Sequence, residues 1–194
     1  VSDIVAGAIL QADGTPQKSF VPVSLPDGRK GFLKRDECCE LAQWASMPLQ
    51  LDKTVATAKQ MMGTTYLWGG TSVKGADCSG FVKTAYFCGG VILTRDASQQ
   101  ALTGEMIPPD RWKECQTGDL LFFANANGRV NHVALYLNDG KYIHSSGRVK
   151  INSIDPESDD YRPDNFVSIS RIKTQIGTPG ITAVKKHPWY FNQE

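Results

Sequence analysis

After residue 118 this chain reads as strand after strand, and that run constrains its fold more than any other feature. Five segments, 119–123, 130–137, 141–145, 150–154 and 166–172, are short, rich in β-branched and aromatic residues, and separated by turn residues. The helical patterns lie ahead of them. Residues 51–62 place Val55, Ala58, Met61 and Met62 at helical spacing, with Asp52 as the expected cap. Residues 78–88 do the same with Phe81, Val82, Ala85 and Tyr86, and 96–102 suggest a further turn or two. Helices followed by strands predict an α+β fold, not a βαβ wind. Ahead of both, residues 1–46 read as short strands, most clearly around the Pro26-Asp27-Gly28 turn. A small all-β unit closing near Trp44, with Met47-Pro48-Leu49 as linker, divides the chain into 1–48 and 49–194. The tail from 175 should lie on the body, because Trp189, Tyr190 and Phe191 are too apolar to leave in water.

Composition removes several classes of function. Lys plus Arg number 21 and Asp plus Glu 20, a net charge of +1, so there is no electrostatic case for nucleic acid or an anionic membrane. No apolar run approaches the 18 or so residues of a membrane span. Residues 1–10 lack the basic start of a signal peptide. Five cysteines, at 38, 39, 78, 88 and 115, include no C-x-x-C, so neither a zinc knuckle nor a redox pair is suggested. No metal or cofactor is expected. The glycine-rich stretch 66–77 is not a phosphate loop, because Gly75 is followed by Ala76 and Asp77 where Lys-Ser/Thr is required.

Cys78 carries the chemistry of this reading. It follows Gly75-Ala76-Asp77 at the first turn of a helix, where free N–H groups and the helix dipole favour a thiolate. A nucleophilic thiol needs a base. Of three histidines, His187 lies in the tail, whereas His132 and His144 fall on adjacent strands joined through Asn138-Asp139-Gly140. A two-residue Asp-Gly loop would put the two rings on opposite faces. A three-residue loop pairs Leu135 with Ile143 and puts them on one face. Asn-Asp-Gly suits the latter, with Gly140 at positive φ. Val133, Leu135, Leu137 and Ile143 then form an apolar face, and His132, Tyr136, Tyr142 and His144 share the other. His132 would take the thiol proton while His144 orients its ring.

Tyr66-Leu-Trp-Gly-Gly, Gly75-Ala-Asp-Cys-Ser-Gly-Phe81, Gly118-Asp-Leu-Leu-Phe-Phe123, Asn131-His-Val-Ala-Leu-Tyr136 and Tyr142-Ile-His-Ser145 closely resemble, in order, the motifs of the NlpC-type cell-wall cysteine peptidases, a papain-like α+β family. Residues 1–46 resemble the bacterial SH3-like module that often precedes such domains. The resemblance implies hydrolysis of peptidoglycan peptides, L-Ala-γ-D-Glu-diamino acid, between γ-D-glutamate and the diamino acid. It implies Cys78, His132 and His144 as triad, Tyr66 near the oxyanion, and Trp68, Asp77 and Ser79 in the pocket. It also implies substrate contacts from the Arg95-Asp-Ala-Ser98 segment: Arg95 or the hydroxyls, Ser98 among them, for the D-glutamate carboxylate, and Asp96 for a free L-alanine amine. A monomer in the cell envelope, periplasmic or secreted, is expected, with a cytoplasmic recycling role also open. The alternatives are another peptidoglycan amidase on the same fold, a wall-binding adaptor, and a zinc protein.

Overall fold

The computed structural model describes residues 3–162 and 165–191. Its centre is a six-stranded antiparallel sheet in the order β11-β10-β9-β8-β12-β7. The strands are β7 (Glu105–Ile107), β8 (Leu120–Ala124), β9 (Val130–Asn138), β10 (Lys141–Ser146), β11 (Arg148–Ser153) and β12 (Phe166–Arg171). Five correspond to the segments read from sequence, and β7 joins at the edge against β12. One face of the sheet, through Val133, Leu135, Leu137 and Ile143, packs on a helical layer of Ala58, Met61, Phe81, Val82 and Ala85. The other closes over Leu121, Phe123, Ala134, Tyr136, Tyr142 and Ile169. That division matches the two faces expected for the histidine strands.

The helical layer is α2 (Leu51–Gln60) and α3 (Cys78–Cys88), the latter with the bounds expected from its pattern. Phe81, Val82, Ala85 and Tyr86 are fully buried. Tyr86 reaches through the core to donate its hydroxyl to the Gly118 carbonyl. Asp52 does not cap α2. The N-cap is Gln50, whose N–H is held by the Gly89 carbonyl at 3.0 Å, and this tertiary bond sets where the helix begins. Between the helices, β4 (Thr71–Ser72) and β5 (Gly75–Ala76) form a small hairpin that delivers the chain to α3. A Cβ at Gly80 would collide with the Gly70 carbonyl, so loop and helix approach to backbone contact.

The hairpin joining β9 and β10 reaches the expected pairing by another route. Asn138 pairs with Lys141, leaving a two-residue Asp139-Gly140 loop with φ of +49° and +73°. A bulge then skips Leu137, and Tyr136 pairs with Tyr142 and Leu135 with Ile143. The expected loop length is therefore corrected by one residue, while the expected pairing of Leu135 with Ile143 and the positive φ of Gly140 hold. The bulge is sustained from outside the hairpin, because the Thr117 hydroxyl donates to the Leu137 carbonyl at 2.5 Å.

Ahead of the body, β1 (Gln11–Ala12), β2 (Phe20–Ser24) and β3 (Lys30–Lys34) form an antiparallel sheet turning at Leu25–Arg29. Trp44 does not close it. That residue lies on α1 (Leu41–Ser46), meets Phe87 edge-on at 5.2 Å and donates to the Cys88 carbonyl at 3.0 Å. In the tail, β13 (Ile181–Ala183) pairs with β6 (Val91–Leu93), and Tyr190 and Phe191 pack with Trp44 and Val184. Trp189 is 84% exposed, against expectation, with its ring set edge-on to His187.

Candidate active site

Asp77 organises the helix side. As N-cap of α3 it accepts from the Gly80 N–H at 2.7 Å, and it also accepts from the Gly69 N–H at 2.8 Å, tying the glycine loop to the helix start. Arg95 grips the same carboxylate with two nitrogens, at 2.6 and 3.1 Å, and donates to Ser79 Oγ at 3.0 Å. The side chains are 34% and 8% exposed, so this pair is largely withdrawn from water. The fork expected to face a substrate carboxylate is thus occupied by Asp77. Asp96, expected to face an amine, is the N-cap of α4 (Ala97–Gln100) in a reciprocal capping box with Gln99. Cys78, one residue after the cap and 6% exposed, directs Sγ toward the Asn131 carbonyl at 3.9 Å.

The strand side is a hydrogen-bonded chain of two rings and an amide. His132 Nε2 lies 2.8 Å from His144 Nδ1, and His144 Nε2 lies 3.0 Å from Asn152 Oδ1. The Asn152 amide nitrogen donates to the Asp160 carbonyl at 3.1 Å, which assigns the orientation of that side chain. Its oxygen then accepts, so His144 carries its proton on Nε2 and accepts on Nδ1. His132 must donate from Nε2, which leaves its Nδ1 with a bare lone pair. Phe123 and Tyr142 brace the two rings at 5.6 and 5.0 Å between centroids.

Burial sets the protonation of both partners. It pushes the Cys78 thiol above its ordinary value. The N–H of Val133 pulls back, the Asp77 carboxylate adds to the rise, and the N–H groups of Ser79 and Cys78 pull back again. The net direction is up, opposite to that expected from the helix start alone. His132 is pushed down to about 3, first by burial and then by His144, Arg162 and Lys150. Taken singly, each group rests neutral. Asp77 is raised by burial, but Arg95 and the Gly80 and Gly69 amides outweigh this and hold it below its usual range. Tyr66 is raised by burial, then by Cys78 and Asp77, and so keeps its phenolic proton as a donor.

A cleft of about 360 Å³ opens over the sulfur. Tyr66, Trp68, Asp77, Cys78, Ser79, Asp96 and Ser98 line it, and Arg95, His132 and His144 do not. Sequence reading missed Asn125, Arg129 and Asn131 on the opposite rim. Asn131 adjoins His132 in sequence and could have been found; Arg129 and Asn125 reach the cleft only through the turn between β8 and β9. Among the described residues the lining begins at Tyr66, so the β1–β3 sheet walls no part of it. No described helix is long and apolar enough to cross a membrane.

An antiparallel sheet backed by helices, with a cysteine at a helix start against the strand bearing paired histidines, is the papain-like cysteine peptidase architecture. Within it the chain belongs to the NlpC/P60 family, whose model matches residues 63–171. It is 43% identical over 131 residues to a γ-D-glutamyl-L-lysine dipeptidyl-peptidase of Bacillus subtilis, covering 66% of this chain and 42% of that one. It is 34% identical over 184 residues to dipeptidyl-peptidase 6 of Lysinibacillus sphaericus, covering 87% and 62%. A crystal structure of an NlpC/P60 family protein from Bacillus cereus superposes with a TM-score of 0.70 at 30% identity, covering 84% of this chain and 53% of that one. The chain therefore spans less than two thirds of the length of these relatives.

Proposed function

We propose that this chain is a cysteine endopeptidase acting on peptidoglycan peptides in the cell envelope, cutting between γ-D-glutamate and the diamino acid without a metal. The observation that carries the reading is the meeting of Cys78 with β9. Asn131 and Val133, on either side of His132, both turn backbone groups to the sulfur. Nδ1 of His132 takes the thiol proton as Sγ adds to the γ-carbonyl carbon. Tyr66 and the free N–H groups at the start of α3 favour the negative oxygen. The C–N bond breaks, the leaving amine takes the proton from His132, and a thioester remains. Water, deprotonated by the same nitrogen, releases the acid and restores the thiol.

Because Arg95 and the Ser79 hydroxyl are both engaged with Asp77, the D-glutamate carboxylate falls to the Ser98 hydroxyl and to Arg129, which has no ion pair among the described residues. Asp96, exposed at the rim, suits a peptide amine. We assign residues 1–48 to a separate module and the working unit to a monomer. A cleft that this module does not wall favours longer peptides over strict amino-terminal selection. The test is incubation with L-Ala-γ-D-Glu-diamino acid peptides, amine free or capped, with products identified by mass. Cleavage elsewhere, or undiminished cleavage by Cys78→Ala, would overturn the reading.

A further inference from the structure

We propose that Asn152 is a positioning residue that selects which nitrogen of His132 acts as base, working through His144. The proposal deepens the function above and rests on it only for its kinetic arm. Four groups from four parts of the chain stand in one line: the Asp160 carbonyl, the Asn152 carboxamide, the His144 ring and the His132 ring, at 3.1, 3.0 and 2.8 Å. A carbonyl can only accept. It orients the amide, the amide orients His144, and His144 orients His132. Within the line, Asn152 is the group that distinguishes the two tautomers of His144. A His144 protonated on Nδ1 would face His132 with a donor, and His132 would have to turn its own bare nitrogen toward it. The base would then point away from the sulfur.

The line also predicts where charge goes. When His132 takes a proton at Nδ1, its Nε2–H already donates to His144, which can share the positive charge because its far N–H is held by the Asn152 oxygen. Among the described residues, Lys150 and Arg162 also act on this pair, and both disfavour protonation of His132. Lys150 sits directly opposite His144 on β11. The Asp160 carboxylate is engaged by Lys141 at 2.8 Å and offers only its backbone to the line.

Two measurements test this. Nitrogen-15 NMR of histidine-labelled protein reads tautomers without any substrate. Both His132 and His144 should carry their proton on Nε2, and His144 should become a mixture in Asn152→Ala. A native His132 protonated on Nδ1 would overturn the assignment, whatever the enzyme cleaves. The second measurement is the pH dependence of kcat on a γ-D-glutamyl peptide. Asn152→Ala should lower kcat about 10- to 100-fold, with KM changed much less. Asn152→Asp, which has the same shape, should keep the acceptor and place a negative charge beside His144. This favours the protonated pair and moves the acid limb to higher pH. Profiles for both variants that superpose on the native one would overturn the proposal.

Discussion

The two walls beside Cys78 are built on opposite principles. The helix wall is ionic. Asp77 holds a carboxylate below its usual range by accepting from Arg95, Gly80 and Gly69 together. The strand wall is hydrogen-bonded: His132 and His144 are held by each other and by an amide, and burial pushes His132 down to about 3. The difference teaches what each wall is for. A saturated ion pair has no spare capacity to move protons, and it fixes where the helix starts and therefore where the sulfur sits. A neutral ring with one bare nitrogen has little holding power but can accept a proton. One wall thus fixes the helix start, and the other carries a ring nitrogen able to accept a proton.

The largest expected effects come from removing the chemistry while leaving the architecture. Cys78→Ser should lower kcat by about 10⁴-fold or more, since the hydroxyl lacks a comparable nucleophile. His132→Ala should cost about 10²- to 10⁴-fold. Both should unfold in urea at close to the native midpoint. His144→Asn should cost less than His132→Ala, because an orienting partner is easier to imitate than a base. Equal losses would mean that the two roles are misassigned.

The ionic wall should respond in the other coordinate. Asp77→Ala removes a helix cap and leaves Arg95 without its partner in a half-buried position, at a cost of about 2–3 kcal/mol in unfolding free energy. Asp77→Asn keeps a capping oxygen and should cost less. If Asp77→Ala leaves the urea midpoint unchanged and only kcat falls, the carboxylate is chemistry and not architecture, and the comparison fails.

The walls should also fail at different pH. Asp77 has a folded value below its unfolded 3.8, so its contribution is complete above about pH 4 and is lost as the pH falls through the folded value. His132 has a folded value of about 3 against 6.5 when unfolded. The unfolded chain therefore takes up a proton that the folded one refuses, and stability declines from about pH 6.5 downward. Urea midpoints against pH should flatten between 6.5 and 4 in His132→Gln and only below 4 in Asp77→Asn. Identical slopes in native protein and His132→Gln would show that this ring is not held neutral.

The smallest effect concerns the rim. Arg129→Gln should raise KM for peptides with a free D-glutamate carboxylate several-fold, and leave amidated D-isoglutamine peptides unchanged, because a surface cation facing a solvated anion contributes roughly 1 kcal/mol or less. An equal change for both peptides would remove Arg129 from carboxylate recognition.

Much of this molecule is legible in its sequence. The bounds of α3 follow from the helical spacing of Phe81, Val82, Ala85 and Tyr86 behind the Gly75-Ala76-Asp77 stretch. The five strands that hold the sheet together follow from residue type and turn chemistry. The shared face of His132 and His144 follows from the burial pattern of Val133, Leu135 and Ile143, since a slip by one residue would bury the wrong set. What sequence could not supply is the means by which that register is reached. A bulge at Leu137 is possible because Thr117, 20 residues away, satisfies its carbonyl. Local turn chemistry alone favoured a longer loop.

The same boundary runs through the site. Sequence by itself determined that a cysteine stands at a helix start and that two histidines can be neighbours, because both are consequences of local periodicity. It did not determine the partners of Arg95 and Asn152 or the direction in which the Cys78 thiol is displaced. Those depend on which groups meet across chain separations of 18 and 8 residues and on how much water is shut out. A helix dipole is a property of a segment and can be read from it. Burial is a property of the whole packed body, and here it is the larger of the two.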